Sequence, residues 1–245
     1  LHSGPGKRIF LAAFSPADGR TIWSTEEPVE GDGSNTPDKR YFGSWATPVV
    51  AKVGGKDQLV LAMPTRVCGY DPEDGKLLWW CEGLRHRGGD LAYSSPLLVD
   101  DLCVMTGGFG GPALAFRLGA SGDLTAKRLW RTERSPQSIG TGVVVGKHVY
   151  RPNAGPGTID CLDPANGKVL WSHRAAGEQW SSMVRVGDHV YSTAQNGGVV
   201  VFRPDPAKYD QIARSELGDA TNATPAAVDG MLVFRGQKRL ICVGK

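Results

Sequence analysis

Apolar residues in this chain come in short, closely spaced runs. Strings such as "TPVVAKV" (47–53), "DQLVLAM" (57–63), "LCVMT" (102–106), "HVYRP" (148–152) and "GGVVVF" (197–202) are rich in β-branched side chains and are bounded by Gly, Asp, Asn or Pro. Runs of this length and composition predict strands, and no 3.6-residue spacing is sustained anywhere, which excludes helical repeat arrays. One run type recurs as "SWATPVV" (44–50), "YSSPLLV" (93–99), "IGTGVVV" (139–145), "WSSMVRV" (180–186) and "NATPAAV" (222–228). The aligned residues Pro48, Pro96, Gly142, Met183 and Pro225 lie 48, 46, 41 and 42 positions apart. A tight turn and a second apolar run follow each string.

A second motif repeats out of phase with the first: "FSPADGRTIWST" (14–25), "YDPEDGKLLWWC" (70–81) and "LDPANGKVLWSH" (162–173). Pro presets the first corner of a turn, the preceding Asp or Ser can bond the backbone ahead of it, and Asp/Asn-Gly supplies the left-handed corner of a hairpin. The strand after the turn carries a tryptophan. The repeat unit is therefore strand A, turn, strand B, loop, strand C, the Asp-Gly turn and strand D. Four short strands at a period of 41 to 48 residues predict an all-β fold of β-propeller blades. Trp23, Trp79, Trp130 and Trp171 are the expected docking plugs between blades, with Ile212 in the corresponding place of a fifth repeat. The blades are expected at about 43–81, 91–132, 137–173 and 178–216, after a partial blade over 1–25 and before a last one over 221–245.

Repeats of the form D-P-x-[DN]-G-K-x-L-W resemble the tryptophan-docking repeats of PQQ-like, quinoprotein-type β-propellers, a superfamily that includes the quinoprotein alcohol dehydrogenases and the noncatalytic assembly lipoprotein BamB. The resemblance spans essentially the whole chain. "GSWATPVV", "GGFGGPALAFR", "QWSSMV" and "TNATPAAV" are similar to secreted planctomycete proteins of the same repeat class. The resemblance implies an exported, periplasmic or cell-envelope location. Counting strands gives five A, five B, six C (the first at 8–14, the last at 239–243) and five D. The expected architecture is about five blades of a larger ring of six to eight, and a self-closed ring of five is the alternative.

Composition narrows function mainly by exclusion. The net charge of +3, with 22% charged residues, gives no reason to expect nucleic acid. No apolar run reaches the about 18 residues that span a bilayer. Cys68, Cys81, Cys103, Cys161 and Cys242 form no C-x-x-C pair, so zinc is not expected, and strand contexts predict buried thiols.

The resemblance brings one enzyme hypothesis, a dehydrogenase using PQQ and calcium. It implies a stacking Trp, a disulfide between adjacent cysteines, and Glu, Asn and Asp around the metal. There is no Cys-Cys pair here, and no spacing singles out calcium ligands, so a noncatalytic binding or scaffolding propeller without a cofactor is expected, and a quinone-dependent or other enzyme with its site partly outside this segment is the alternative reading. His148 and His189 recur at one repeat position and read as structural, while "GGFGGP" (107–112) reads as a tight loop between strands. Asn222-Ala-Thr224 matches a glycosylation sequon.

The remaining candidates lie on one rim of the propeller, where the D-to-A and B-to-C loops meet. Trp45, Tyr93, Ile139, Trp180 and Asn222 begin the A strings, with Arg66, Arg85, Asp90, Asn153, Glu178, Gln179, Asn196 and Arg235 around them. Aromatics ringed by polar groups suit a protein or peptide partner or a small polar ligand, and the same aromatics could instead cap an apolar channel. The insert at 26–42 has the length of a functional loop on that rim.

Overall fold

The structure, a computed structural model, describes residues 10–26 and 42–244. The expected start of the first C strand at 8, the N-terminal residues before it and nearly all of the 26–42 insert fall outside that range. The chain divides into two compact units, Leu1–Ser135 and Pro136–Lys245.

In the first unit β1 (Phe10–Phe14) and β2 (Thr21–Glu26) form a hairpin, followed by β3 (Phe42–Ser44). Strands β4 (Val49–Val53), β5 (Lys56–Ala62), β6 (Arg66–Tyr70) and β7 (Leu77–Glu82) then form one antiparallel sheet. β8 (Asp90–Ala92) returns to pair with β3, in parallel. The next sheet comprises β9 (Leu97–Val99), β10 (Leu102–Thr106), β11 (Ala113–Arg117) and, after the short β12 (Gly122–Asp123), β13 (Arg128–Thr132).

The second unit opens with β14 (Val143–Val145), β15 (His148–Asn153), β16 (Thr158–Leu162) and β17 (Val169–Arg174). Its second sheet is β18 (Val184–Val186), β19 (His189–Thr193), β20 (Gly198–Pro204) and β21 (Tyr209–Glu216). Three strands, β22 (Ala226–Val228), β23 (Met231–Arg235) and β24 (Leu240–Gly244), make the last. Helical structure among the described residues is limited to a 3-10 turn at Thr125–Lys127. The A strands pair only from 49, 97, 143, 184 and 226 onward, so the leading residues of the A strings precede the ladders.

Short A strands leave the last carbonyl of a B strand without a ladder partner, and in four of the five B strands a hydroxyl side chain takes that place. Ser44, Ser94, Ser181 and Thr221 donate to the carbonyls of Ala62, Thr106, Thr193 and Arg235 at 2.6, 3.2, 2.7 and 2.6 Å. A second set of hydroxyls ties neighbouring sheets together. The amides of Thr47, Thr141 and Ser182 donate to Ser95, Ser182 and Thr224 at 3.0, 2.9 and 3.0 Å. Those partners are 48, 41 and 42 positions apart, so the period read in the sequence is also the period of a hydrogen-bonded chain within each unit.

Every C–D hairpin carries a bulge at the same place. The register shifts at Ala13/Phe14, Gly69/Tyr70, Ala115/Phe116, Cys161/Leu162 and Val201/Phe202, which leaves Ile22, Leu78, Leu129, Leu170 and Ile212 as the extra residues. Across the ladder Trp23, Trp79, Trp130 and Trp171 face the small residues Ala13, Gly69, Ala115 and Cys161. The sequence expectation for the fifth repeat is corrected by this register. Ile212 is the bulged residue, 43% exposed, and Ala213 takes the tryptophan position opposite Val201. Because successive strand side chains point to opposite faces, a slip of one residue moves Ile212 off the buried face.

The tryptophans are not used alike. The Trp23 indole lies on the Asp-Gly turn of the next sheet, where its Nε1 donates to the Pro72 carbonyl at 3.0 Å and a Cβ on Gly75 would overlap its ring. Gly75 holds φ of +73°, which suits glycine at that corner. Trp171 Nε1 makes the equivalent bond to the Asp205 carbonyl at 2.9 Å. Trp79 is 1% exposed and donates within its own sheet to Gln58 Oε1 at 2.7 Å, with its ring edge-on to Phe116 at 5.5 Å.

The turn that would receive the Trp79 indole has been rebuilt as the longer loop after β11. That loop sends β12 back to pair in parallel with the outer edge of β7. Leu124, fully buried, donates its amide to the Trp80 carbonyl at 2.8 Å, and Thr125 Oγ1 accepts from the Glu82 amide at 3.0 Å. An edge that other sheets leave open is thereby covered.

Candidate functional site

The D-to-A and B-to-C loops meet at one end of the sheets, as hydrogen bonds between them show. Gly83 and Leu84 donate to the Thr65 carbonyl, Gly108 to Leu91, Ala175 to Gly157, Gln195 to Glu178 and Leu217 to Gly197. These loops hold the candidate residues.

In the first unit β8 pairs with β3, and the Trp45 amide continues the ladder by donating to the Ala92 carbonyl at 2.7 Å. That pairing sets Trp45 beside Tyr93, ring on ring, with centroids 4.6 Å apart and planes 14° from parallel. Phe109 meets the Tyr93 ring edge-on, at 5.4 Å and 76°. It sits at φ of +49° within "GGFGGP", where Gly107 bonds to the Pro112 carbonyl, Gly111 to Gly108, and Gly108 lies too close under the Tyr93 ring for a side chain. A left-handed phenylalanine is strained by about 1 kcal/mol or more. The loop is a tight connection between strands, as expected, and it presents one aromatic side chain. Trp45 is 44% and Phe109 46% exposed, with Tyr93 half-buried between them. Burial pushes the Tyr93 phenol up from its ordinary pKa. Phe109 was not among the sequence candidates, although an aromatic flanked by pairs of glycines is the signal that points to it.

Two other candidates of this unit, Arg66 and Asp90, are turned inward. Arg66 is buried, 3.8 Å from Glu82 and over the Trp80 ring at 5.7 Å. Asp90 is buried too, where its carboxylate accepts from the His86 amide at 3.0 Å and from Arg85 at 3.3 Å, shaping the loop ahead of β8.

In the second unit Gln179 is fully buried. Its Nε2 donates to the Gly177 carbonyl at 2.7 Å, and its Oε1 accepts from the Ser192 hydroxyl. Asn153 is likewise buried and donates to Thr158 Oγ1 at 3.0 Å, next to the buried Arg151–Asp160 ion pair at 3.0 Å. Ile139 and Trp180 are half-buried, whereas Glu178, Asn196, Asn222 and Arg235 are exposed. Asn196 shapes its own turn by accepting from the Gly198 amide at 3.0 Å. The sequon residues are engaged locally, Asn222 with Gln195 and Thr224 with Ser182. Asn222 and Arg235 line one recess, with Thr221, Ala223, Gly236 and Gln237.

Among the described residues the cysteines are all free and none are adjacent, and no group of three His, Cys, Asp or Glu side chains converges. Trp79 is enclosed by Gly69 and Phe116, so its ring is closed to a stacked cofactor. Burial raises the Cys81 thiol to about 12 and the Cys161 thiol to about 11, which suits inert core residues.

Comparison with known proteins bears on this arrangement at the level of fold and family. No curated protein matches the sequence. Among solved structures BamB from Moraxella catarrhalis is similar, with a TM-score of 0.66 at 12% identity, over 98% of this chain. The chain spans 66% of that one, just under two thirds of its length. A family model described as outer membrane protein assembly factor BamB matches residues 7–243. With its repeated four-stranded antiparallel sheets, the chain belongs to this BamB-like family of PQQ-like repeat β-propellers.

Proposed function

We propose that this chain is a noncatalytic binding or scaffolding propeller that engages a protein partner in an exported, cell-envelope compartment. The observation that carries this reading is the strip of Trp45, Tyr93 and Phe109, two of whose rings stand in solvent on a fixed backbone. Rigid aromatics lose little conformational entropy on binding and dominate the energetics of many interfaces. Holding Phe109 in a left-handed conformation to keep its ring exposed makes little sense for a stability device alone. The family description as an assembly factor supports a protein partner, and it also supports the envelope location. No helix among the described residues is long and apolar enough to cross a membrane.

Photo-crosslinking tests the reading directly. A benzophenone side chain placed at 45 or 109 should give a discrete adduct in the producing cell, and the same group at Lys208, on the Asp-Gly turn end, should not. Tyr93→Ala should abolish the adduct at both positions while the fold persists. Equal labelling at all three sites, or none at 45 and 109, would overturn it. Titration with PQQ and calcium, followed by quinone absorbance, checks the enzyme alternative.

A further inference from the structure

The recess between the start of β22 and the end of β23 has a donor-rich wall that nothing above explains. It has a volume of about 310 Å³ and is lined by Thr221, Asn222, Ala223, Arg235, Gly236 and Gln237. Its walls are tied together by backbone bonds. Thr221 Oγ1 donates to the Arg235 carbonyl at 2.6 Å and accepts from the Ala223 amide at 2.9 Å, and the Gln237 amide donates to the Ala220 carbonyl at 2.9 Å. Asn222 is oriented by Gln195, whose Nε2 donates to its Oδ1 at 2.9 Å. The Asn222 carboxamide nitrogen is thereby left as a donor. Arg235 is exposed and has no acidic partner among the described residues.

Arg235 is the one charged residue in the lining of the recess. The hairpin "RGQKR" (235–239) brings Arg235, Lys238 and Arg239 together. Asp219 is the acidic group against them. It is turned into the hairpin, buried, where its carboxylate accepts the Lys238 amide at 2.9 Å. Arg239 is spent on the Leu217 and Gly218 carbonyls, at 3.3 and 3.1 Å, which leaves Arg235 as the cation of the recess. A planar guanidinium beside a carboxamide N–H matches the two oxygens of a carboxylate, and a recess with no acidic lining does not oppose it.

We propose that this recess is a carboxylate-binding site, in which Arg235 and the Asn222 carboxamide nitrogen hold the acid group of a small organic acid or of a peptide's free C-terminus. The lining residues all belong to the second unit, and Trp45→Ala should leave binding there unchanged. The test is a titration of the isotope-labelled chain followed by amide chemical shifts, with four probes: N-acetyl-dialanine, its C-terminal amide, propionate and inorganic phosphate. Saturable shifts confined to 221–223 and 236–237 are expected with the two acids and not with the amide. The tighter of the acids identifies the source.

Arg235→Met should weaken binding by about tenfold or more, Arg235→Lys less, and Asn222→Ala by a few fold, since a charge-assisted fork is the strongest contact available there. Equal shifts with the amide, shifts that never saturate, tighter binding of inorganic phosphate, or no loss in Arg235→Met and Asn222→Ala would each overturn the proposal.

Discussion

Trp79 faces Gly69 across the β6–β7 ladder, and its indole fills the space a Cβ on Gly69 would occupy. The same pairing of tryptophan with a small residue recurs as Trp23–Ala13, Trp130–Ala115 and Trp171–Cys161, and it is inverted at Ala213–Val201. A large side chain on strand D thus goes with a small one on strand C, because the two share one volume between sheets.

The pairing predicts coupled substitutions. Trp79→Ala should destabilise by about 3–5 kcal/mol, as for other buried aromatics. Gly69→Ala should also be costly, since the colliding atoms belong to a ring fixed by its bond to Gln58. Ala213→Trp alone should be destabilising, and Val201→Ala should recover part of the loss, with a coupling of about 0.5–3 kcal/mol in a double-mutant cycle by denaturant unfolding. Strict additivity would show that the two positions do not share a volume.

The bond from the Ser182 amide to Thr224 Oγ1 predicts a sharper local effect. Thr224→Val preserves shape and removes the acceptor, so stability should fall by about 1 kcal/mol. The Ser182 amide should lose hydrogen-exchange protection, whereas the β19–β20 ladder keeps its own. Unchanged exchange at Ser182 would mean that this bond does not hold the sheets together.

The strand β12 covers the edge of β7, so its anchors should control that edge. Leu124→Ala should cost about 2–5 kcal/mol, as for a buried leucine. Thr125→Ala should cost less and speed exchange at the Glu82 amide, which loses its acceptor. A Glu82 amide that stays equally protected in Thr125→Ala would separate the loop from the edge.

Stability should decline in alkaline solution. Burial raises Cys81 to about 12 and Cys161 to about 11 from an ordinary 9.0, and pushes Cys103 and Tyr150 up as well. A raised pKa in a group that ionises to an anion means the folded chain keeps protons the unfolded chain releases. The stabilisation is therefore complete below about pH 8 and is lost as pH rises from about 9 towards 12. Denaturant midpoints at pH 7 and pH 10 measure this, and a higher midpoint at pH 10 would contradict it. Ellman's reagent at pH 8 should find one fast thiol, the exposed Cys242, in the native chain.

Local chemistry made the repeat readable in the sequence. Pro and Asp-Gly corners, β-branched runs and a recurring tryptophan are short-range signals, and they place the strands of the repeat within a few residues, including the odd C strand at Leu240–Gly244, but not the parallel-paired β3, β8 and β12. The 41- and 42-residue spacings survive as hydrogen bonds between neighbouring sheets because the Ser/Thr positions belong to the same repeat. Tertiary structure alone decided what depends on neighbours distant in sequence. The bulge shifts Ile212 to the outside and puts Ala213 in its place, a one-residue matter that periodicity cannot resolve. The return of β12 to β7 sends the Trp79 indole to Gln58. Arg66, Asp90, Asn153 and Gln179 look like rim residues in sequence and are buried in the fold, since each finds hydrogen-bonding or ionic partners there. Phe109 reached the surface strip through a loop whose glycines allow close approach to Tyr93, and closeness in space is what a linear pattern does not encode.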